Sequence, residues 1–150
     1  MTWEIKKFDE LTVAELYAIL QLRSEVFVVE QNCVYQDMDN KDNLSYHVMC
    51  WQDDNLLATA RIIPPGISYT EPSIGRVVTS KMARRNGTGR KLMNVAIKKT
   101  IELFGATGIK IGAQLYLNKF YSSLGFEQTS DIYLEDGIEH IEMLRKGQIS

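Results

Sequence analysis

Two glycines stand in a short basic segment between a predicted strand and a predicted helix. Residues 74–79 have the pattern of a strand, and the periodicity of residues 88–104 predicts an amphipathic helix that starts beside Gly87 and Gly89. Free backbone N–H groups and the positive end of the helix dipole meet at such a start, where they suit a phosphate or pyrophosphate. The segment holds five basic residues and no acid: Lys81, Arg84, Arg85, Arg90 and Lys91. The sequence therefore predicts an anion-binding loop.

Other known anion-binding loops fit this segment poorly. A P-loop needs the string Gly-x-x-x-x-Gly-Lys-Ser/Thr, which the sequence lacks, and Leu92 stands where the dinucleotide-binding pattern needs its third glycine. Nucleic acid is a third candidate ligand. The basic cluster is short and lacks interleaved aromatics, and the whole chain carries 17 Lys and Arg against 19 Asp and Glu. We therefore expect no nucleic-acid partner.

Two motifs resemble the signatures of the GNAT superfamily of acyl-CoA-dependent N-acyltransferases. Arg84-x-x-Gly87-x-Gly89 matches its Arg/Gln-x-x-Gly-x-Gly/Ala loop, and residues 120–126 resemble its later helix, in which Tyr precedes Gly-Phe. Residues 23–31 and 135–141 resemble more narrowly the ElaA-type branch of that superfamily. The motifs follow in the family's order over nearly the whole chain. The resemblance implies an α/β GNAT fold, a mixed and mostly antiparallel splayed sheet with helices on both faces.

The resemblance also implies a site for acetyl-CoA as co-substrate, with no metal. Loop N–H groups would hold the pyrophosphate, and residues 77–79 would pair with the pantetheine arm as an added strand. One N–H of that strand would polarise the thioester carbonyl. Gln114 stands where many relatives have an Asn that contacts pantetheine, whereas Asn118 lies at a different spacing. The implied cofactor-binding residues are Val77, Val78, Thr79, Arg84, Arg85, Asn86, Gly87, Thr88, Gly89, Arg90 and Gln114.

Catalytic roles follow from the same resemblance, each beside a structural alternative. Tyr121 matches the family's usual general acid for the departing thiolate, although an aromatic residue anchoring a short helix gives the same pattern. Residues 74–79 contain no Glu or Asp for the base that some relatives place there. His140 is the favoured base, because the Asp136-Gly137 hairpin would bring it to the acceptor cleft. The other acceptor-side candidates, each of which could instead be structural, are Glu30, His47 and Glu142.

The function that these residues favour is N-acetyl transfer from acetyl-CoA to a primary amine, by direct attack in a ternary complex. The acceptor would be a small-molecule amine or a protein amine, and the sequence does not name it. A module of the same fold that binds acyl-CoA without transferring the acyl group is the alternative. The oligomeric state stays open, with a homodimer as one option.

The elements that must position these residues can be placed along the chain. Thr12 and Glu15 form a capping box that starts a helix reaching about Val26. Residues 32–43 are predicted to form a loop whose acids, including Asp37 and Asp42, we expect to face water. Further strands are predicted at residues 2–8, 46–52, 56–63 and 109–113 and on both sides of the Asp136-Gly137 turn, with a short helix at residues 117–124.

Length and composition indicate one globular domain over residues 1–150. Of the 150 residues, 45% are hydrophobic and 24% charged, with a net charge of −2, which is ordinary for a chain with its own core. No apolar run approaches the ~20 residues of a membrane span, and the N-terminal residues lack the apolar region of an export signal. Cys33 and Cys50 are too few for a disulfide framework or a zinc site. We expect a reduced cytoplasmic protein without a membrane partner.

Overall fold

The computed structural model describes residues 1–147 of the chain. Within them, eight strands and three α-helices alternate with short helical turns. The elements in chain order are β1 (Thr2–Lys7), α1 (Val13–Arg23), a π-helix (Ser24–Glu30), β2 (Tyr46–Gln52), β3 (Asn55–Ile63), β4 (Ser73–Thr79), α2 (Thr88–Phe104), β5 (Ile109–Gln114), α3 (Asn118–Ser122), β6 (Phe126–Gln128), β7 (Tyr133–Glu135) and β8 (Ile138–Arg145).

The strands form two antiparallel sheets that meet at β4 and β5. One sheet has the order β1-β2-β3-β4 and the other β5-β8-β6, with β7 also paired to β8. Where β4 and β5 approach each other, the backbone N–H of Lys110 donates to the carbonyl of Pro72 at 3.0 Å. Among the described residues no ladder continues between the two strands beyond that point. The predicted α/β class with a splayed, mostly antiparallel sheet is confirmed.

Helices cover both faces of the first sheet, because the side chains of β3 alternate between the faces. Ala58, Ala60 and Ile62 point to the face on which α2 packs its buried Leu92 and Met93. Thr59, Arg61 and Ile63 point to the other face, over which α1 passes. Leu22 of α1 and Val26 of the π-helix there pack against Val78 of β4. The end of β4 therefore lies between two layers of packed helices.

The first helix begins as predicted, and the helical segment that it starts continues to Glu30, past the predicted end near Val26. Thr12 Oγ1 accepts from the backbone N–H of Glu15 at 3.1 Å, and Glu15 Oε1 accepts from the N–H of Thr12 at 2.8 Å, which is a complete capping box. Beyond Arg23 the chain stays helical but widens into the π-helix, in which the N–H of Gln31 donates to the carbonyl of Val26. A wider turn shifts the phase of the side chains, so the 3.6-residue period fades while the helix continues.

The expectation that the acids of residues 32–43 face water is wrong. Asp37 and Asp42 are buried, and with Asp39 they form an Arg–Asp cluster with three arginines: Arg23, Arg61 and Arg76. Arg23, whose side chain is 1% exposed, places Nε 2.7 Å from Asp37 and Nη1 2.7 Å from Asp42. Buried charges persist where partners compensate them, and these partners lie 14 and 19 residues apart, beyond any local pattern. The cluster fastens this loop to β3 and β4.

Candidate functional site

A cleft of about 990 Å³ opens where β4 and β5 diverge. One end reaches Thr79 and Gly89, beside the basic loop and the start of α2. The other end is walled by the loop after the π-helix, the segment before β4, and the β7–β8 hairpin. Tyr121 lines the cleft on the β5 side. The cleft thus joins the predicted anion loop to the predicted acceptor side.

The basic loop presents backbone N–H groups at the start of α2, as predicted. Arg85 and Gly87 adopt left-handed conformations with φ of 68° and 82°. The N–H of Thr88 is already occupied, since it donates to Asn86 Oδ1 at 3.2 Å. Among the described residues, no acceptor takes the N–H groups of Arg85, Asn86, Gly87, Gly89 and Arg90. These five groups and the helix dipole make a local anion site.

Two arginines of the loop serve as structural clamps. Arg84 places Nη1 2.8 Å from the carboxylate of Glu30, and its Nη2 donates to the carbonyl of Thr79 at 3.2 Å. Arg90 Nη2 donates to Ser123 Oγ at 2.8 Å, and its guanidinium lies over the ring of Phe120. The side chains of Arg84 and Arg90 therefore tie the loop to the π-helix and to α3.

The end of β4 has one open edge and a bulge. Its register with β3 jumps between the pair Thr59–Val78 and the pair Arg61–Gly75, and Arg76 within the jump has a φ of 50°. Val77, Val78 and Thr79 all line the cleft, and Val78 is the buried residue of the three. β4 pairs with β3 alone among the described strands, so its other edge is free beside the cleft.

Two predicted residues of the β5 side reach the same cleft. Gln114 ends β5, and its Nε2 donates to Gln31 Oε1 at 3.4 Å. The Tyr121 side chain is 7% exposed and packs edge-on against Phe120 and Phe126. Burial, with Tyr116 nearby, raises the pKa of Tyr121 to about 12. Its hydroxyl therefore stays protonated at neutral pH and can donate a proton but not accept one as a phenolate.

His140 is placed by the β7–β8 hairpin, whose turn residues Asp136 and Gly137 have φ of 52° and 77° as a tight turn requires. The His140 side chain is 10% exposed and lines the cleft. Nδ1 lies 2.8 Å from the carbonyl of Ile138, and Nε2 lies 3.3 Å from the carboxylate of Glu135. Each ring nitrogen therefore faces an oxygen that can accept a hydrogen bond from an N–H at that nitrogen.

The three other acceptor-side candidates lie in different places. Glu30 lines the cleft but is paired with Arg84, which helps to lower its pKa. Glu142 is 3.3 Å from Lys110 Nζ and is not among the residues that line the cleft. His47 is buried in β2, where Nε2 lies 2.9 Å from the carbonyl of Asp42, and burial lowers its pKa. The structure brings Glu30 and His140 to the cleft, and not His47 or Glu142.

Several cleft residues were not singled out from the sequence. Tyr69 and Tyr133 extend their hydroxyls over Gly112 in the middle of β5, and Lys41 lines the same cleft. A glycine inside a strand is a known sign of a close approach, so Gly112 offered one usable signal. The two tyrosines and Lys41 come from segments far apart in the sequence, so no local pattern indicates that they share a cleft.

The described residues hold no group of three or more His, Cys, Asp or Glu that could bind a metal ion. No helix within the same residues is both long enough and apolar enough to span a membrane.

Comparison with known proteins finds relatives along nearly the whole chain. The sequence profile of a family described as an acetyltransferase (GNAT) domain matches residues 10–146. The Escherichia coli protein ElaA is 40% identical over 146 residues, which cover 96% of this chain and 95% of that protein.

Solved structures superpose over a similar length. The crystal structure of an acyl-CoA N-acyltransferase from Pseudomonas aeruginosa has a TM-score of 0.92 and 43% identity, covering 96% of this chain and 98% of that one. The crystal structure of E. coli ElaA has a TM-score of 0.91 and 39% identity, covering 97% and 99%. An aminoglycoside 6′-N-acetyltransferase solved with coenzyme A, at 18% identity and a TM-score of 0.68 over 94% and 95% of the chains, shares the fold alone.

Proposed function

Because the chain belongs to the GNAT acetyltransferase family, we propose that it transfers an acetyl group from acetyl-CoA to a primary amine by direct attack in a ternary complex. The resemblance to that superfamily and its ElaA-type branch is confirmed, and with it acyl transfer from a coenzyme A thioester in general. The observation that carries the finer proposal is the single cleft that joins the N–H loop at Gly89 to Tyr121 and His140.

The cofactor is proposed to lie along the loop and the open edge of β4. The N–H groups of Arg85, Asn86, Gly87, Gly89 and Arg90 hold the pyrophosphate, since they have no acceptor of their own among the described residues. The edge of residues 77–79 pairs with the amides of pantetheine, and Gln114 contacts the arm from β5. An N–H beside the bulge at Arg76 polarises the thioester carbonyl.

The acceptor must lose a proton before it attacks. An alkylamine whose ammonium form has a pKa of ~10.4 is neutral in only about one molecule in 2,500 at pH 7. A base is therefore needed to remove the ammonium proton. His140 takes that proton on Nε2, and the carbonyl of Ile138 and the carboxylate of Glu135 stabilise the imidazolium that forms. The amine nitrogen then adds to the carbonyl carbon of the thioester.

The tetrahedral intermediate collapses as the C–S bond breaks. The departing sulfur resembles a cysteine thiolate, whose conjugate acid has a pKa near 8.5. Tyr121 lines the cleft and keeps its hydroxyl proton at neutral pH, because burial raises its pKa to about 12, and it donates that proton to the sulfur. The nitrogen loses its second proton as the amide forms, and that proton returns to the Tyr121 oxygen. Free coenzyme A and the acetylated amine are the products.

The experiment that tests this function measures thiol release from acetyl-CoA against a panel of amines. Release that depends on the added amine, together with the mass of the acetylated amine, is expected. Tight acetyl-CoA binding without amine-dependent release would instead identify the non-catalytic acyl-CoA-binding module.

A further inference from the structure

Two tyrosine hydroxyls converge over the middle of β5. A Cβ built on Gly112 would lie 3.1 Å from the hydroxyl of Tyr133 and 3.2 Å from that of Tyr69. Gly112 has an ordinary extended backbone that any residue could adopt. The glycine is therefore explained by the space that the two hydroxyls occupy, and not by a conformation that requires glycine. Neither hydroxyl has a hydrogen-bond partner within residues 1–147. The floor of the cleft therefore holds two unpaired phenol groups.

The charges around this tyrosine pair suit a cation. Burial above all, with Tyr133, Glu142 and Glu135 nearby, raises the pKa of Tyr69 to about 12. Lys110 Nζ lies 5.3 Å from the centroid of the Tyr69 ring but is paired with Glu142 at 3.3 Å, so Glu135 is the nearby acid left to face a bound cation. Tyr133 also stacks on His140, with ring centroids 5.9 Å apart. An ammonium held by the two hydroxyls and facing Glu135 would thus lie beside the proposed base. We call Tyr69, Tyr133 and Glu135 the amine pole.

The neighbouring wall carries a surplus positive charge. The Arg–Asp cluster is neutral, because its three arginines are matched by three aspartates. Lys41, which lines the cleft beside it, has no carboxylate within 4.0 Å among the described residues, and its Nζ donates to Ser68 Oγ at 3.0 Å. Ser68 directly precedes Tyr69. We call Lys41 and Ser68 the carboxylate pole.

We propose that the acceptor is an amino carboxylate, whose amine binds at Tyr69, Tyr133 and Glu135 while its carboxylate binds at Lys41 and Ser68. This inference rests on the proposed function and names the chemical class of its acceptor. Ser68 of the carboxylate pole and Tyr69 of the amine pole are consecutive residues that line the same cleft, so we expect one short molecule to reach both poles. A diamine would place its second ammonium against Lys41, and a plain alkylamine would leave the lysine unpaired.

Calorimetric titration of the coenzyme A-bound protein tests the pairing of poles. The probes are β-alanine, γ-aminobutyrate and δ-aminovalerate, each compared with the alkylamine that lacks the carboxylate and with the diamine of the same length. One or more amino carboxylates should bind at least about tenfold more tightly than their matched amines, as a hydrogen bond between charged groups provides. Lys41→Met should remove that advantage and leave alkylamine binding unchanged, whereas the exposed Lys98→Met should change neither. Tyr69→Phe and Tyr133→Phe should weaken the binding of every amine.

The outcomes separate the subsite from the reaction. Equal or tighter binding of the diamines, or an unchanged advantage in Lys41→Met, would overturn the carboxylate pole. Transfer to alkylamines without any preference for amino carboxylates would leave the proposed function standing and this inference wrong. Preferential binding of an amino carboxylate without coenzyme A release would establish the subsite and contradict the proposed function.

Discussion

At the scale of single residues, the Tyr121 hydroxyl can act as a proton donor but not as a base. It is enclosed by Phe120 and Phe126 and remains protonated throughout the pH range in which a protein is assayed. Tyr121→Phe should therefore lower kcat by about 100-fold, equivalent to about 2.7 kcal/mol of barrier, because general acid catalysis is lost. The affinity for acetyl-CoA, measured by calorimetry, and the melting temperature should stay unchanged.

Tyr46→Phe is the control, since Tyr46 likewise forms a T-shaped aromatic pair, with Phe104, but is not among the residues that line the cleft. An equally active Tyr121→Phe would show that Tyr121 is a packing residue only. Loss of stability or of acetyl-CoA affinity would point to a structural role.

The role of His140 predicts a change in the pH dependence of the rate. His140→Gln keeps a polar side chain of similar size but removes the proton acceptor at Nε2. The rate near pH 7 should fall, and it should recover toward the wild-type value as the pH rises toward ~10.4, where the amine loses its proton unaided. Initial rates across this range provide the measurement. An unchanged rate and pH profile would make water-mediated deprotonation the leading account.

At the scale of elements, the loop before α2 allows a test in which stability and affinity change in opposite directions. Gly89 lies in the first turn of α2 with ordinary backbone, and a Cβ there would meet Thr79 Cγ2 at a comfortable 3.9 Å. Gly89→Ala should raise the free energy of unfolding by up to about 1 kcal/mol, since alanine favours a helix. It should lower acetyl-CoA affinity, because the methyl group stands where the pyrophosphate approaches.

Asn94→Ala on the exposed face of α2 is the control, with a gain in helix propensity but no contact with the loop. Thermal melts and calorimetric titration would be run on both variants. Unchanged acetyl-CoA affinity in Gly89→Ala would remove this turn from the cofactor site.

The bulge of β4 is a second element with a measurable signature. Arg76 holds a left-handed conformation that disfavours any side chain, and its Nε lies 2.7 Å from Asp37 in the loop opposite. Arg76→Ala and Arg76→Gly both lose this ion pair, but only glycine relieves the backbone. Arg76→Gly should thus be more stable than Arg76→Ala by about 1 kcal/mol in denaturant unfolding. Equal stability of the two variants would mean that the bulge relaxes when the arginine is removed.

Elements with local signals were predicted well from the sequence. The capping box at Thr12, the turn at Asp136 and Gly137, and the glycine loop before α2 each depend on residues within a few positions of one another. The Arg–Asp cluster and the tyrosine pair depend on partners brought together only by the fold, so no local pattern marks them. The acids of residues 32–43 were misjudged for this reason, and the amine pole was not foreseen.

At the scale of the whole molecule, the Arg–Asp cluster makes stability depend on pH. Burial opposes ionisation of Asp39, but hydrogen bonds and charge interactions with Arg61, and then Arg76, hold its pKa below the ordinary value. A carboxyl with a lowered folded-state pKa stabilises the fold above its unfolded pKa of about 3.9, and that stabilisation is lost as the pH falls through the folded-state pKa. Buried His47, with its pKa lowered by burial, adds a loss that begins below about pH 6.5.

Asp39→Asn separates the carboxylate contribution from that of His47. The variant should be less stable than wild type at pH 7. The difference should shrink as the pH falls from about 3.9 toward the lower folded-state pKa, because the unfolded chain then takes up a proton that the folded carboxylate still excludes. Urea unfolding at a series of pH values measures both curves. A difference that is constant with pH would mean that Asp39 acts through packing and not through its charge.

The π-helix at Ser24–Glu30 has a consequence for chain length. Its backbone hydrogen bonds span five residues, whereas those of an α-helix span four. The segment therefore contains an extra residue within a continuous helix. A one-residue deletion there could be absorbed by tightening to an α-helix, and the protein would still fold. The residues that follow would then rotate around the axis, and Glu30 would leave Arg84 while Gln31 left Gln114. We expect homologous chains that keep the extra residue to keep the contacts of Glu30 with Arg84 and of Gln31 with Gln114. Chains that lack the residue should have other contacts in their place.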